Sequence, residues 1–312
     1  MSFSFFQLKG RYATRLVAML GVGAALLLAS GWQARAADQM PYGKGLLWKI
    51  ERAGVAPSHV FGTIHSTDKR VSRLPKPVQK VVRAAKSMIL EIARTDDMPV
   101  RMARLMMLRD GRRLEQILGT EMFGQFATVA GRYGLPANLL QRIKPWAALI
   151  TISLLPQEKT RQAAGRLPLD LALGARAQKR GIPVFGFETV EEQLNLFEGL
   201  PEADQISLLA TAIRDHDKVG PMFERMIQSY LDRDLEGLMT WAIDQTAGGD
   251  ERHRQIFEVR FLERRNKLMV DRLRSRLQTG GALIAVGAAH LPGKTGVLSL
   301  LAEQGYTIER IY

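Results

Sequence analysis

Apolar residues recur along this chain at two spacings, and the spacings assign the elements. Short apolar runs closed by turn residues fall at 46–50, 60–64, 88–92, 184–187, 283–286 and 307–312, and predict six strands. Apolar positions about 3.6 residues apart predict helices over 77–85, 101–118, 137–155, 170–179, 190–197, 204–215, 221–245, 251–277 and 297–302. Pro136, Pro145, Pro156, Pro168, Pro183, Pro201 and Pro221 divide the helical stretch, because each lacks an amide proton and restricts the residue before it. Strands drawn from both chain ends and from the middle can share a sheet only if the helices are inserted between them. The expected class is therefore α/β: a small mixed β-sheet from two strand-helix-strand units at the chain ends, with a large helical insertion at about 97–280, in one domain over 37–312.

Residues 1–36 follow another pattern. Lys9, Arg11 and Arg15, with no acid among them, precede an apolar run from 16 to 32, and Ala34-Arg35-Ala36 comes next. Basic start, apolar middle and small residues at the cleavage positions define a secretory signal peptide. The run is at the short limit for an uncleaved anchor across a hydrocarbon core of ~30 Å. The expectation is a cleaved leader and a periplasmic or secreted protein. Further on, Met98, Met102, Met106 and Met107, with Leu105 and Leu108, mark an apolar helix face suited to core packing or to an adaptable peptide or lipid groove.

The two end units echo one another. Val60-Phe61-Gly62-Thr63-Ile64-His65 and Ile284-Ala285-Val286-Gly287-Ala288-Ala289-His290 both run from strand into Gly-x-x-His, and each leads through a helix to a second strand carrying a glutamate, Glu91 or Glu309. Paired about a pseudo-twofold, the units bring both histidines to one end of the sheet, where ligand sites of open α/β sheets lie. A glycine near a strand end lets a ligand or another group approach the backbone. Neutral imidazole is a common metal ligand. Glu91 from the adjacent strand would complete a divalent site that lowers the pKa of bound water to about 7. A strand-end histidine serves equally as a hydrogen-bonded structural residue. His59, His216 and His253 stand in turn-like or polar contexts and read as surface residues.

Composition narrows the chemistry. No cysteine occurs, so there is no disulfide-linked partner, thiolate site or cysteine nucleophile. The formal charge is +13, from 44 Lys and Arg against 31 Asp and Glu, and the chain stays basic without the leader's cations. These cations are spread over helix faces without the stacking aromatics of single-strand binding, which argues against nucleic acid and leaves an anionic envelope surface as a use for the charge. Ala288 to Thr295 imitates a phosphate loop, but Ala288 stands in place of its first glycine and Pro292 removes a cradling amide.

Taken in order, Gly62-Thr63-Ile64-His65, Leu90-Glu91, Lys144-Pro145-Trp146, Asp170, Phe185-Gly186-Phe187-Glu188-Thr189-Val190-Glu191-Glu192-Gln193-Leu194, Arg265-Asn266 and Val286-Gly287-Ala288-Ala289-His290-Leu291-Pro292-Gly293 resemble the TraB/GumN family over nearly all of 46–312. That family is similar to the Tiki proteases, metal-dependent enzymes of the cell surface, and to erythromycin-esterase-like folds. The resemblance implies His65, Glu91 and His290 as ligands of a divalent metal ion, with Mn, Co or Zn suitable. It implies Glu188 as general base or extra ligand, Arg265 as a group polarising a carbonyl or orienting an acid, and Asn266 as a hydrogen-bonding partner of substrate or of a ligand. For Glu188 and Arg265 the alternative is a structural ion pair tying the insertion to the sheet. The implied function is an exported metal-dependent hydrolase of peptidase type, acting on a peptide or small molecule. The same histidines would also serve a non-catalytic haem- or metal-binding envelope protein, and the helical insertion a peptide-binding regulator.

Overall fold

Continuous apolar runs of four to six residues suit strands covered on both faces, and these form the centre of the sheet. The computed structural model describes residues 40–247 and 250–312; the leader expected over 1–36 lies outside them. All six expected strands form: β1 (Leu47–Glu51), β2 (Ser58–Thr63), β3 (Ser87–Ile92), β4 (Val184–Glu188), β5 (Ala282–Gly287) and β6 (Thr307–Arg310). They join one mixed sheet in the order β4-β3-β5-β2-β1-β6. β4, β3, β5 and β2 are parallel neighbours, and β1 runs antiparallel to both β2 and β6. β5 is buried from Ala282 to Val286, whereas the edge strand β6 is mostly exposed.

The echo between the end units is visible in this order. β2 and β5 lie side by side, in register from His59 opposite Leu283 to Thr63 opposite Gly287. Each unit's second strand lies beyond the other unit's first, β3 beyond β5 and β6 beyond β2, with β1 between β2 and β6. A pseudo-twofold along the strand direction gives this interleaving, and it sends both Gly-x-x-His segments to the same sheet end. β4 lies within the expected insertion yet returns to the sheet to pair with β3.

Several expected helices are broken, each for a local reason. The 101–118 stretch forms Met98–Met106 and Leu114–Leu118, parted by Gly111 at φ 82°. The 137–155 stretch forms Ala137–Leu140 and Pro145–Ser153, with Pro145 in the first turn of the second helix. Over 221–245 the helices are Val219–Leu231 and Leu235–Ala247, parted by Arg233 at φ 59°. The 251–277 stretch begins as Glu251–Gln255, widens to a π-helix over Ile256–Glu263 and continues as Arg264–Thr279. Helices Thr120–Gly131 and Pro156–Ala163 were not expected; the first contains Gly124 and Gly131, and in the second Glu158 is the buried side chain. None of the described helices is long and apolar enough to cross a membrane.

Two main apolar clusters result. One surrounds the sheet and includes Phe61, Leu173, Met269, Leu273 and Leu298; the other lies within the insertion around Phe126, Trp146, Ile152 and Leu209. Met98, Met102, Leu105, Met106, Met107 and Leu108 pack against the second, so the methionine face is part of this core. Two histidines expected at the surface are instead buried. His216 Nε2 lies 2.8 Å from the Tyr133 hydroxyl, and His253 Nε2 lies 2.9 Å from Ser207 Oγ. Both stand at helix junctions, where the polar neighbours in sequence project to other faces. His59 is half-buried on β2.

The helix after β4, Val190–Glu198, starts with a capping box: Glu192 N donates to Thr189 Oγ1 at 3.2 Å, and Thr189 N donates to Glu192 Oε2 at 2.9 Å. Arg272 donates to the same carboxylate at 2.6 and 2.9 Å, and this pairing holds the Glu192 carboxyl down at about 2. A depressed carboxyl pKa stabilises the fold above its unfolded value near 4.5 and ceases to do so as pH falls toward 2. Glu192→Gln keeps the cap and removes the charge. It should cost about 0.5 kcal/mol at neutral pH, the scale of a half-exposed pair, and the deficit in Tm should vanish between pH 4.5 and 2. A deficit independent of pH would show that the ion pair contributes nothing.

Candidate active site

Parallel strands place the ends of β4, β3, β5 and β2 in one row, and the candidate residues sit on that row. Glu188 ends β4, Glu91 is the penultimate residue of β3, His290 follows β5 in a short 3-10 turn, and His65 follows β2 by two residues. The glycines create the required proximity. A Cβ on Gly287 would lie 2.9 Å from Glu91 Oε1, and its absence lets the Gly287 amide donate to that oxygen at 2.7 Å. A Cβ on Gly62 would meet Leu291 Cδ1 at 2.9 Å, so the first motif's glycine admits the turn of the second.

Arg265 binds three of these residues together. It enters from the start of helix Arg264–Thr279, directly after the π-helix. Nε donates to Glu188 Oε1 at 2.9 Å; Nη2 donates to Glu188 Oε2 at 2.8 Å and Glu91 Oε2 at 2.6 Å. Nη1 donates to His290 Nε2 at 2.9 Å and to the Phe261 carbonyl at 3.3 Å. All five guanidinium protons thus have acceptors. Gln193 Nε2 adds bonds to Glu91 Oε2 and Glu188 Oε2, each 3.1 Å. The ion pair proposed as the structural alternative for Glu188 and Arg265 is present.

These bonds fix the state of His290. Asn266 Nδ2 donates to the Thr295 carbonyl, so its Oδ1 faces His290 Nδ1 at 2.6 Å and accepts the ring proton. Nε2 is then the lone-pair nitrogen that accepts from Arg265. Burial, with the nearby guanidinium, pushes His290 down to about 4, so the ring is neutral. Burial opposes charge on Glu91, but the adjacent guanidinium and the Gly287 amide outweigh it and hold this carboxyl below its ordinary range.

His65 stands apart from this closed group. Its side chain is 52% exposed, and Nδ1 lies 3.2 and 3.3 Å from the two oxygens of Asp170, on helix Leu169–Lys179. Asp170 Oδ1 is a buried oxygen with no hydrogen-bond partner, so the carboxylate is open to a stronger bond from the ring. Burial favours the neutral imidazole, yet Asp170, with more distant Glu91 and Glu158, holds the His65 pKa above its ordinary value. The structure therefore brings Glu91, Glu188, Arg265 and His290 into direct contact, attaches Asn266 behind His290, and gives His65 a different partner. Sequence reasoning gave no role to Gln193 or Asp170, although both lie in the motifs quoted above, and it missed Glu158, which has no such motif.

A divalent ion is what the family resemblance implies for His65, Glu91 and His290, but the donors do not fit one in this arrangement. Among the described residues no group of three or more His, Asp or Glu side chains is disposed to hold an ion. His290 Nε2, the atom an ion would use, accepts from Arg265, and both Glu91 oxygens are engaged by protein donors. Arg265 thus occupies the cationic place. Arg265→Ala should lower stability by about 3 kcal/mol by stranding the buried Glu188 carboxylate and the partly buried Glu91 carboxylate, and Arg265→Lys should restore only part of it, since an ammonium cannot bridge both carboxylates and the ring. Urea denaturation of the full chain measures this, and a loss under about 1 kcal/mol would contradict a central role for the guanidinium.

Comparison with known proteins bears on this site. The model of the TraB/PrgY/gumN family matches residues 46–310. Among curated proteins the chain is similar to a protein named Metalloprotease TIKI2 from Danio rerio, 25% identical over 314 residues, covering 84% of this chain and 60% of that protein. It is also similar to a protein named Metalloprotease TIKI homolog from Amphimedon queenslandica, 23% identical over 318 residues, covering 85% of this chain and 61% of that protein. The chain therefore spans about three fifths of the length of these relatives. No solved structure matches it. The match over 46–310 takes in every residue of the strand-end site, and the chain belongs to the TraB/PrgY/gumN family.

Proposed function

We propose that this chain is a hydrolase of the peptidase class, with His65 as the group that accepts a proton from the attacking water. The observation that carries the proposal is the pair of His65 and Asp170: a half-exposed imidazole whose inner nitrogen faces a carboxylate, at the sheet end where a substrate can arrive. With the Nδ1 proton directed at Asp170, the Nε2 lone pair is free to take a proton from water as it attacks a carbonyl. Asp170 fixes the ring's tautomer and stabilises the imidazolium that forms, which then returns the proton to the leaving amine as the C–N bond breaks. The names of the two relatives support a peptide substrate, and the leader pattern of 1–36 supports action outside the cytoplasm.

The Arg265 group has a different part in this reading. Its donors are spent on Glu91, Glu188, His290 and Phe261, so it forms a rigid, self-paired floor at the strand ends and does not reach for substrate. A divalent ion, which the relatives' names imply for those proteins, would supply polarisation of a scissile carbonyl. It would require Arg265 to leave its acceptors.

The full chain should cleave members of an unstructured peptide library, read by mass spectrometry. His65→Ala should reduce the rate by about 10²–10⁴, the contribution of a positioned base, and Asp170→Asn should reduce it by a smaller factor. Unchanged melting curves would assign these losses to chemistry and not to folding. Cleavage that survives His65→Ala would sink the proposal. Parallel assays with a chelator, and elemental analysis of the protein as purified, separate cleavage by the protein groups alone from cleavage that requires an ion.

A further inference from the structure

A carboxylate far from the motifs holds the segment that carries His65. Glu158, on helix Pro156–Ala163 of the insertion, is fully buried, and so is Ser66, next to His65. Glu158 Oε1 accepts from Ser66 Oγ at 2.8 Å and from the Thr67 amide at 3.2 Å. Oε2 accepts from the same amide at 3.0 Å and from Thr67 Oγ1 at 2.6 Å. Arg161 supplies the counter-charge, donating to Glu158 Oε1 at 2.9 Å and to Thr67 Oγ1 at 2.8 Å. Burial works against the charge on Glu158, yet the hydroxyl and amide donors of Thr67 and Ser66 hold its carboxyl below the ordinary range.

The same turn is joined to the partner of His65. The Ser66 backbone carbonyl accepts from the amide of Leu169, the residue before Asp170, at 3.1 Å. Ser66 Oγ accepts from the Asp68 amide at 3.0 Å, closing the turn after β2. His65 itself makes one long bond, to Asp170, and its ring is half-exposed, so that contact does not by itself fix its direction. The backbone on its C-terminal side does so: two hydroxyls and an amide grounded on one buried carboxylate leave residues 66 and 67 a single arrangement.

We propose that Glu158 is a positioning residue for His65: through Ser66 and Thr67 it holds the turn after β2 so that the imidazole meets Asp170. The proposal rests on the reading of His65 and Asp170 as the proton-handling pair, and it assigns the insertion a part in that pair. An acceptor-only carboxylate is required, because a carboxamide at 158 would turn an N–H toward the Thr67 and Arg161 donors.

The test uses full-length protein labelled with 15N in histidine and in the backbone, at pH about 8, where an unpaired imidazole is neutral. In the wild type the Nδ1 of His65 should show the shift of a protonated nitrogen donating to a carboxylate. Asp170→Asn supplies the signal of the broken pair. Glu158→Gln should move the His65 signal toward that of Asp170→Asn and raise Thr67 amide exchange by at least about tenfold. Thr67→Val removes one donor to Glu158 at nearly constant volume, should shift the ring in the same direction by less, and decides the matter alone if Glu158→Gln does not fold. Folded variants that lose Thr67 protection with His65 unmoved would overturn the proposal and leave Glu158 as an anchor of the insertion. If Asp170→Asn itself leaves the His65 signal unchanged, the pair does not exist, and the hydrolase reading falls along with this one.

Discussion

A guanidinium buried between two carboxylates fixes most of what surrounds it. Taking such charges from water costs several kcal/mol each, and the cost is offset only when hydrogen bonding is complete. Here it is complete on the cationic side. Arg265 uses all five protons, one of them on His290 Nε2, and this forces His290 to be neutral with its proton on Nδ1. That proton needs an acceptor, so Asn266 presents its oxygen, and its amide group turns to the Thr295 carbonyl. One cation therefore sets the tautomer of a ring and the orientation of an amide behind it. The chain of dependence runs from helix Arg264–Thr279 to the turn after β5.

The sheet supplies the other half of the constraint. Parallel pairing of β4, β3, β5 and β2 lines up four strand ends, so residues distant in sequence reach Arg265 from one direction. Gly287 is required because any side chain would occupy the place of Glu91 Oε1. The π-helix over Ile256–Glu263 ends where Arg265 begins its approach, and the Phe261 carbonyl within it accepts from the guanidinium. Such widened turns are often found at functional sites, where a local irregularity aims a side chain. The negative charges of Glu91 and Glu158 also act with Asp170 to favour the protonated form of His65 against the effect of burial.

The sheet was legible in the sequence because its strands are short apolar runs bounded by turn residues, and their positions do not depend on distant partners. The histidines and glutamates of the strand ends were legible for the same reason. The helical insertion was less so. Gly111 and Arg233 reverse the chain inside stretches whose apolar spacing continues through them, and periodicity does not register a positive φ. His216 and His253 looked exposed because their neighbours along the chain are polar, whereas their burial comes from Tyr133 and Ser207 on other elements. Glu158 is the extreme case: an acid in a polar helix whose donors, Ser66 and Thr67, lie more than ninety residues away. The Arg265–Glu188 ion pair was legible as an alternative, but the reach of Arg265 to Glu91 and His290, and the role of Asp170, were missed for a subtler reason. Family motifs show which residues assemble, but only coordinates show that the arginine takes the place expected for an ion, and that His65 faces an aspartate.

The site thus divides into a closed part and an open part, and the division limits what chemistry each can perform. Glu91, Glu188, Arg265 and His290 satisfy one another, so any ligand entering among them must replace charge-assisted bonds of 2.6 to 2.9 Å with bonds at least as strong. A small neutral substrate offers none. His65 offers what the closed part lacks: a half-exposed ring, and a carboxylate partner one of whose oxygens accepts no hydrogen bond. Under the proposed function proton transfer accordingly falls to His65, while the Arg265 group holds the strand ends and the local charge. The two parts meet through the sheet, since β2 and β5 are hydrogen-bonded up to Thr63 and Gly287, two and three residues before the histidines. A rigid, self-paired group beside a half-exposed base is an arrangement in which substrate binding need reorganise only the His65 side, where the fewest bonds are at stake.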